Sequence, residues 1–299
     1  MNYQIISDGS CDLSQELAKE KNIEIVPFYV SFDSETYQKE VEEVGVRDFY
    51  QQMIDYPNVF PKTSCPSAQD YYDIFEKYAV QNIPMICICI TMKFSASYQS
   101  AMNAIDMILE EYPNAVIEII DSQINTVLQG LYVLEACRLR DNGYNYEDAI
   151  TRLKEIRSSG RIFFTIGSID YLKHGGRIGK VAGIAGSLLN IKPLITLKEG
   201  EIFSSGIVRS RKKSMTKVIG LLQDHLKEFN IDMQKYSICI GYGYSREEAE
   251  EFRDMLMVFL DIIKDAGVKE IPIYQIGATI GVHTGPNPLG VCILKRADY

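Results

Sequence analysis

Short apolar runs alternate with longer amphipathic stretches along the first half of the chain. The strand-like runs lie at residues 3–6, 23–30, 85–90 and 115–120. The helix-like stretches between them include residues 68–78 and 97–111. This alternation predicts a mainly parallel sheet that is buried on both faces by helices. Residues 1–160 are therefore predicted to form an N-terminal α/β/α domain with a parallel sheet.

The second half of the chain has a less regular pattern, and a polar, glycine-containing break at Ser158-Ser159-Gly160 precedes it. The pattern predicts strands at residues 162–166, 236–240 and 271–276, a hairpin over 193–208, helices over 213–229 and 246–263, and an apolar stretch over 181–189. A further strand-like run at 276–280 leads into a loop at 281–290. Residues 161–299 are predicted to form a smaller domain with a mixed α/β sheet.

Composition and charge narrow the choice of partners. The 299 residues, 46% of them hydrophobic, suffice for two domains with separate apolar cores. The net charge of −9 argues against nucleic acid, because binding to phosphates requires an excess of Lys and Arg. The chain shows no targeting pattern, and its apolar runs fall short of the roughly 20 residues of a membrane span. We expect a soluble, cytoplasmic protein without stable membrane insertion.

The cysteine and histidine patterns favour neither a disulfide framework nor a metal site. The seven cysteines include no C-x-x-C pair, and most lie in apolar runs, where cysteine packs as a small hydrophobe. His174, His225 and His283 are far apart in sequence, and the carboxylates show no metal-ligand spacing. We therefore assign the cysteines to the core and expect neither a metal nor a cofactor.

Polar residues follow three of the predicted parallel strands, at Asp8-Gly9-Ser10, at residues 91–95 and at Asp121-Ser122. The carboxyl ends of parallel strands meet at one edge of a sheet, where open α/β folds bind their ligands. Helix capping is an alternative role for such side chains, and we prefer it for Ser10 and for Asp121-Ser122. Ser95 is the better ligand candidate, because Ser97 is available as the cap.

Two further segments offer polar side chains. Thr63 has no evident local role, because Ser64 or Ser67 is available to cap the next helix. His283 and Thr284 lie in the predicted loop at 281–290, where the simpler alternative is that His283 bonds a nearby backbone carbonyl. Together with Ser95, these side chains predict a pocket that holds a small anionic group through neutral donors.

Two glycine-rich segments do not meet the requirements for nucleotide binding. The segment that begins at Lys173 has His174 where a phosphate-binding loop needs its first glycine, so Gly175 or Gly176 is better explained as a helix C-cap. The segment Gly241-Tyr242-Gly243-Tyr244-Ser245-Arg246 has arginine where the dinucleotide fingerprint needs its third glycine. The sequence therefore predicts no nucleotide site.

Basic residues are concentrated locally although the whole chain is acidic. They are Arg177, Lys180, Arg209, Arg211, Lys212 and Lys213. A solvated surface is the ordinary explanation for such residues. The alternative is a docking face for an acidic partner, since opposite charge steers association.

The chain resembles the DegV family through five segments that occur in the family's order. They are Ser7-Asp8-Gly9-Ser10-Cys11-Asp12-Leu13, Thr63-Ser64-Cys65-Pro66-Ser67, Ser95-Ala96-Ser97-Tyr98-Gln99-Ser100-Ala101, Tyr171-Leu172 with Gly175-Gly176-Arg177-Ile178, and His283-Thr284-Gly285-Pro286. Each segment alone is a weak signal, but five in order are specific, and the resemblance extends over residues 2–298. Gly9, Cys65 and Ala96 differ from the residues usual in the family.

The resemblance implies two α/β domains and, between them, an apolar tunnel that holds one long-chain fatty acid. It implies that hydroxyls of Thr63 and Ser95 bind the carboxylate, with His283 and Thr284 beside it. Family members in bacteria serve as the acyl-binding subunit of a fatty-acid kinase, whose separate ATP-dependent subunit phosphorylates the carboxyl group to an acyl phosphate. The chain is therefore expected to have no catalytic activity of its own, with Arg177 and Arg209 as candidate docking residues.

Enzymatic interpretations stay open beside this one. Ser95 as nucleophile and His283 as base would make a serine hydrolase or acyltransferase, although no G-x-S-x-G segment is present. A small-molecule kinase is a third interpretation, although the chain lacks a recognisable phosphate loop or metal-carboxylate set. In the carrier interpretation, a protonated His283 would balance the charge of the bound carboxylate.

Overall fold

The computed structural model describes residues 3–182, 191–259 and 267–299. A parallel sheet in the first half contains β1 (Gln4–Asp8), β2 (Ile23–Val26), β6 (Met85–Cys89) and β7 (Ile117–Asp121) in the order β2-β1-β6-β7. A small antiparallel sheet in the order β4-β3-β5 lies beside it and contains β3 (Tyr29–Ser31), β4 (Gln38–Lys39) and β5 (Lys62–Ser64).

Helices cover both faces of the parallel sheet. They are α1 (Gln15–Glu20), α3 (Ala68–Ala79), α4 (Ser97–Glu111), α5 (Thr126–Asp141) and α6 (Tyr146–Ile156), whereas α2 (Val46–Asp55) packs in a separate core with Val30 of β3. Successive residues of β1 face opposite sides, so Ile5 packs in the core with α5 and α6, while Ile6 packs with α3 and α4. Ser67 caps α3 in a reciprocal pair with Asp70, as one of the two alternatives predicted.

A six-stranded mixed sheet forms most of the second half. It contains β8 (Arg161–Thr165), β9 (Lys192–Lys198), β10 (Glu201–Val208), β11 (Tyr236–Tyr242), β12 (Ile273–Gln275) and β13 (Leu289–Lys295) in the order β10-β9-β8-β13-β11-β12. Within this sheet β11 and β12 are parallel, whereas the other neighbours are antiparallel. Helices α8 (Arg211–Glu228) and α9 (Arg246–Phe259) pack on this sheet. Helices α7 (Asp170–His174) and α10 (Ala278–Thr284) contact each other, and α10 also contacts α2, β3 and β5.

Helix α5 packs between the parallel sheet and the mixed sheet. Most of its residues are buried, and Val127, Leu128 and Leu131 share one core with Ile5 of the parallel sheet and Cys292 of the mixed sheet. A helix that is apolar on nearly all sides must be covered on nearly all sides, which is why α5 lies between the sheets. On the opposite face of the mixed sheet, α8 and α9 bury a separate core.

The fold-class prediction is confirmed: the chain is a mixed α/β protein with a parallel sheet and a separate mixed sheet. The predicted strand at 23–30 divides at Pro27 into β2 and β3, which belong to different sheets, since proline has no amide hydrogen to donate to a ladder. Of the predicted apolar stretch at 181–189 and helix at 246–263, residues 183–189 and 260–263 lie outside the described residues.

The predicted strand at 276–280 and the start of the predicted loop at 281–290 are wrong. Residues 278–284 form helix α10 instead, because the carboxylate of Glu40 caps its N-terminus. One carboxylate oxygen accepts the amide of Ala278 at 2.5 Å, and the other accepts the amide of Thr279 at 3.2 Å and its hydroxyl. This cap comes from more than 200 residues away in sequence, so no local pattern indicates it.

No helix among the described residues combines the length and apolar character needed to cross a bilayer.

Candidate functional site

A cavity of about 300 Å³ lies between the carboxyl ends of the parallel strands and the inner face of the mixed sheet. Most of its wall is apolar, with contributions from Ile90 after β6, Val127 on α5 and Ile162 on β8. The polar and charged side chains that line it are Thr63, Ser64, Ser95, Asn125, Thr126, Arg177, Thr279, His283 and Thr284. The predicted residues Thr63, Ser95, His283, Thr284 and Arg177 are thus brought together.

Thr63 and His283 are in contact with each other in the cavity wall. Thr63 lies on β5, His283 lies in the last turn of α10, and Oγ1 of Thr63 is 3.2 Å from Nε2 of His283. Either atom is able to donate, depending on the imidazole tautomer. The contact holds two polar groups side by side, and both border the apolar space.

The imidazole of His283 is neutral at physiological pH. Burial, with a smaller contribution from the charge of Arg177, lowers its pKa to about 4. Its Nδ1 atom is buried and has no hydrogen-bond partner among the residues that the structure describes. The ring packs so closely on Gly175 that a Cβ atom there would lie 2.2 Å from Nδ1. The sequence left the protonation state of His283 open, and in the folded protein burial favours the neutral ring.

Ser95 lies in the turn between β6 and α4. Its Oγ accepts the backbone amide of Ser97 at 3.2 Å, so Ser95 itself satisfies one of the free amides at the start of α4. The prediction that Ser97 is the cap is wrong, because the hydroxyl of Ser97 donates to the carboxylate of Asp8 at 2.7 Å. An oxygen that accepts from the backbone still carries its own hydrogen, so Ser95 remains able to donate to a ligand.

Thr284 ends α10 with its hydroxyl directed into the helix. Oγ1 donates to the carbonyl of Ile280 at 3.0 Å, so the hydroxyl hydrogen is already engaged. A carboxylate accepts hydrogen bonds and does not donate them. Thr284 therefore lines the cavity, but with its hydrogen engaged it offers a carboxylate less than Thr63 or Ser95 does.

Arg177 and Arg209 occupy different places. Arg177 is exposed and lines the cavity, and its guanidinium donates to the carbonyls of Phe94 at 3.1 Å and Gly175 at 2.6 Å. Arg209 is exposed in the turn after β10 and is not part of the described cavity wall. Gly175 is the C-cap of α7 and Gly176 has φ of +68°, as expected for a helix that ends there.

The buried carboxylate of Asp8 holds the ends of the parallel strands together through hydrogen bonds. Its carboxylate accepts from the hydroxyls of Ser10 and Ser97, the side-chain amide of Gln129 and the backbone amide of Ile90. Burial raises the pKa of Asp8, and these hydrogen bonds oppose that rise. Ser10 is therefore not a helix cap as expected.

Ser122 does not cap a helix either, because its hydroxyl donates to the carbonyl of Ile124 within its own turn. Asp121 accepts the amides of Met92 and Gln123, so it fixes two adjacent turns. Both polar residues at the end of β7 thus stabilise the turns that lead to the cavity.

The seven cysteines have free thiols, and six of them are buried. Cys65 is the exception to the predicted core assignment, since it is only partly buried and lines the cavity. Among the described residues, no group of three or more His, Cys, Asp or Glu side chains is arranged to hold a metal ion.

Sequence reasoning missed two residues that shape the site. Glu40, which caps α10, lies in an acidic stretch without a recognisable motif. Asn125 lines the cavity from the residue before α5, and its only signal was the polar turn after β7.

Fold and cavity together define an α/β protein with a mostly apolar cavity between a parallel and a mixed sheet. The chain belongs to the DegV family: the family model described as "Uncharacterised protein, DegV family" matches residues 2–296. The family resemblance predicted from the five sequence segments is thereby confirmed.

Relatives match over nearly their full length. A DegV domain-containing protein of Clostridium perfringens is 29% identical to this chain, with 99% of this chain and 100% of the relative covered. The crystal structure of a stearic acid-binding protein from Eubacterium ventriosum is 41% identical, with a TM-score of 0.92 and 99% of both chains covered. A fatty-acid-binding DegV protein from Thermus thermophilus is 26% identical, with a TM-score of 0.84 and coverage of 99% and 100%. Fatty-acid binding is thus a property of solved DegV proteins.

Proposed function

We propose that this protein binds one long-chain fatty acid in the cavity between its two sheets, with the carboxylate beside Thr63 and Ser95. The observation that carries the proposal is the 3.2 Å contact between Thr63 and His283 on the wall of a mostly apolar cavity. A mostly apolar space with a few convergent polar groups fits an amphiphile with one polar end. The fatty acids bound by the Eubacterium ventriosum and Thermus thermophilus relatives support this assignment.

The acyl chain would provide most of the affinity. Burying a dozen methylene groups at about 0.8 kcal/mol each gives on the order of 10 kcal/mol before the cost of association. The polar groups then orient the ligand and satisfy a carboxylate that would be costly to bury unpaired. This division of roles needs no reactive group in the cavity.

The head group would be held mainly by neutral donors. The hydroxyl hydrogen of Ser95 is able to reach a ligand, and that of Thr63 is free to do so in the tautomer of neutral His283 whose Nε2–H donates to Thr63. Arg177 is the cationic side chain in the described cavity wall, so it would supply the positive charge that neutral His283 does not. Thr284 would complete the cavity wall beside these polar groups.

We further propose that the protein acts in the cytoplasm as a subunit without catalysis or a cofactor. It would present the fatty-acid carboxyl group to a separate ATP-dependent kinase subunit that forms the acyl phosphate. Exposed Arg177 at the cavity and exposed Arg209 on the turn after β10 are the proposed docking residues. Positive charge on this otherwise acidic chain would direct it to an acidic surface of the kinase.

Lipid extraction of the purified protein followed by mass spectrometry tests the binding proposal. We expect one long-chain fatty acid per chain, and Thr63→Val with Ser95→Ala should lower this occupancy. Absence of fatty acid from the extract, together with no binding of added stearate in calorimetry, would contradict the proposal.

The kinase proposal is tested separately. With ATP and a fatty-acid kinase subunit, the loaded protein should yield an acyl phosphate that hydroxylamine traps, and the protein alone should bind no ATP in calorimetry. Arg209→Ala should slow this reaction. Arg246→Ala should not slow it, because Arg246 is exposed but does not belong to the basic residues between positions 177 and 213. Equal rates for both variants would contradict the docking role of Arg209.

A further inference from the structure

Two acidic side chains, Asp12 and Glu40, lie beside each other at the start of helix α10. A Cβ atom added to Gly277 would come within 2.5 Å of both Oδ1 of Asp12 and Oε1 of Glu40, so these two oxygens are less than 5 Å apart. Asp12 follows the short helical turn after β1, and Glu40 follows β4, so only the folded chain brings them together. Two negative charges at this separation repel each other, and burial strengthens the repulsion.

No cationic side chain among the described residues pairs with Asp12 or Glu40. Lys19 and Arg246 line the same groove, but both are exposed, and Arg246 pairs with Glu250 at 3.1 Å. The other charged residues of this groove, Glu16, Glu24 and Glu42, add negative charge. The ionisable side chains that surround the pair on other elements also lack positive charge, and they are Asp8, Cys11, Tyr50, Tyr242, Tyr274 and Cys292.

Glu40 is the member of the pair that is placed to carry the negative charge. Its carboxylate accepts the amides of Ala278 and Thr279 and the hydroxyl of Thr279. A helix N-terminus also favours an ionised carboxylate. These donors oppose the rise in the pKa of Glu40 that burial causes.

Asp12 is the member that is placed to carry a proton. Its Oδ2 accepts the hydroxyl of Thr126 at 2.5 Å, but its Oδ1 is shielded from solvent and has no hydrogen bond of ordinary geometry among the described residues. Burial raises the pKa of Asp12 well above the ordinary value of 3.8, and the charge of Glu40 raises it further. The hydroxyl of Thr126 and the nearby amide of Gly277 oppose this rise. A proton on Oδ1 would remove both the repulsion and the cost of an unpaired buried anion.

Both carboxyl groups are connected to the cavity wall. Thr126, which donates to Asp12, and Thr279, which donates to Glu40, line the cavity. Thr126 has φ of +52°, which is unfavourable for a β-branched residue, so its bond to Asp12 helps to hold this conformation. Helix α10 begins at the pair and carries His283 in its last turn. A displacement of either carboxyl group would therefore alter the cavity wall.

We propose that Asp12 and Glu40 share one proton, and that loss of this proton as pH rises loosens helix α10 and weakens fatty-acid binding. The effect on the ligand rests on the proposed function, whereas the shared proton does not. While the proton is present, the Glu40 carboxylate caps α10 without an opposing charge beside it. When the proton leaves, repulsion separates the two groups and withdraws acceptors from α10 or from Thr126.

Infrared difference spectroscopy tests the shared proton directly. At neutral pH, the difference between the unchanged protein and Asp12→Asn should contain the carbonyl stretch of one protonated carboxyl group, which disappears as pH rises. Asp224→Asn, a change of an exposed aspartate on α8, should give no such band. Glu40→Gln should lower the pH at which the band disappears, because the charge that helps to hold the proton is gone, and this variant also serves if Asp12→Asn does not fold. Absence of the band would overturn the inference.

Stability should fall as pH rises, because the folded protein keeps a proton that the unfolded chain releases above the ordinary pKa of 3.8. The folding equilibrium constant should fall by up to about tenfold per pH unit until the raised pKa of Asp12 is passed. Denaturant unfolding above about pH 6.5, the ordinary pKa of histidine, should show a shallower decline in Asp12→Asn than in the unchanged protein or Asp224→Asn. Parallel declines in all three proteins would overturn the inference.

Calorimetric titration with stearic acid connects the proton to binding. Between about pH 6.5 and pH 9, the affinity of the unchanged protein should fall about fivefold or more relative to that of Asp12→Asn. Ionisation of the fatty acid itself affects both proteins equally. The same pH dependence in both proteins would overturn the proposed effect on binding. Failure of stearic acid to bind at every pH would instead contradict the proposed function, and the infrared band would still decide whether the proton is shared.

Discussion

The hydroxyl of Thr63 lies 3.2 Å from Nε2 of His283, although 220 positions separate the two residues in sequence. Thr63 belongs to the small sheet of the first half, and His283 belongs to α10, a helix of the second half that contacts this small sheet. The polar part of the cavity is therefore assembled from both halves of the chain.

Replacement of Thr63 by valine should weaken binding of a fatty acid about tenfold or more, because a hydrogen bond to a charged group is lost with little change in shape. Isothermal titration with stearic acid measures the effect. Thr216→Val is a matched control, since Thr216 is exposed on α8 and its hydroxyl bonds only the carbonyl of Lys212 in the described structure. Unchanged affinity in Thr63→Val would rule out a carboxylate-binding role for this hydroxyl.

His283 should make the stability of the unliganded protein depend on pH. Its pKa is about 4 in the folded protein, below the ordinary value of 6.5, so folding favours the neutral ring. The resulting stability is fully present above about pH 6.5 and is lost as pH falls toward 4, by on the order of 3 kcal/mol. Denaturant unfolding across this pH range should show a shallower decline in His283→Gln. Parallel declines in both proteins would contradict the prediction.

Replacement of Gly175 by alanine should displace His283. The backbone of Gly175 has φ of −75°, which alanine tolerates, but the added Cβ would lie 2.2 Å from Nδ1 of His283. We expect a loss of about 1–3 kcal/mol in the free energy of unfolding, together with weaker fatty-acid binding. Gly220→Ala in α8 is the control, because nothing lies within 4 Å of its added Cβ, and it should stabilise by about 0.5–1 kcal/mol. Gly175→Ala with normal binding would show that the ring tolerates displacement.

Loss of the Glu40 carboxylate should destabilise α10. Glu40→Ala leaves the amides of Ala278 and Thr279 without their acceptor, which should cost about 2–3 kcal/mol in unfolding free energy and lower fatty-acid affinity. Glu42→Ala, an exposed neighbour that pairs only loosely with Lys39, should change stability by less than about 0.5 kcal/mol. Equal stability of the two variants in denaturant titrations would show that the Glu40 carboxylate does not stabilise the N-terminus of α10.

Ser95 should not react as a hydrolase nucleophile. The ring of His283 bonds Thr63, and the hydroxyl of Ser95 accepts the amide of Ser97, so the pairing that would activate Ser95 is missing from the described contacts. We expect a fluorophosphonate probe to leave Ser95 unlabelled, as judged by peptide mass spectrometry. Labelling that disappears in Ser95→Ala would favour the hydrolase or acyltransferase interpretation instead.

Local sequence patterns predicted much of the fold because burial imposes a regular spacing. The apolar run at residues 85–90 became β6, and the amphipathic stretch at 97–111 became α4 with the same bounds. The strand prediction at 276–280 was wrong because its β-branched residues favour a strand by propensity. In the folded protein the distant Glu40 supplies hydrogen-bond acceptors for the N-terminus of a helix instead. Tertiary contacts of this kind leave no periodic trace in the sequence.

By itself, the sequence determined the α/β class and the family, and it singled out Thr63, Ser95 and His283 as candidate site residues, because strand ends and ordered motifs depend only on nearby residues. The tertiary structure decided which of these residues touch, that His283 is neutral, and that Ser95 rather than Ser97 satisfies the start of α4. It also placed Asn125 on the cavity wall without a described partner. Burial, hydrogen-bond partners and pKa depend on groups brought together from distant parts of the chain, and only the folded protein specifies them.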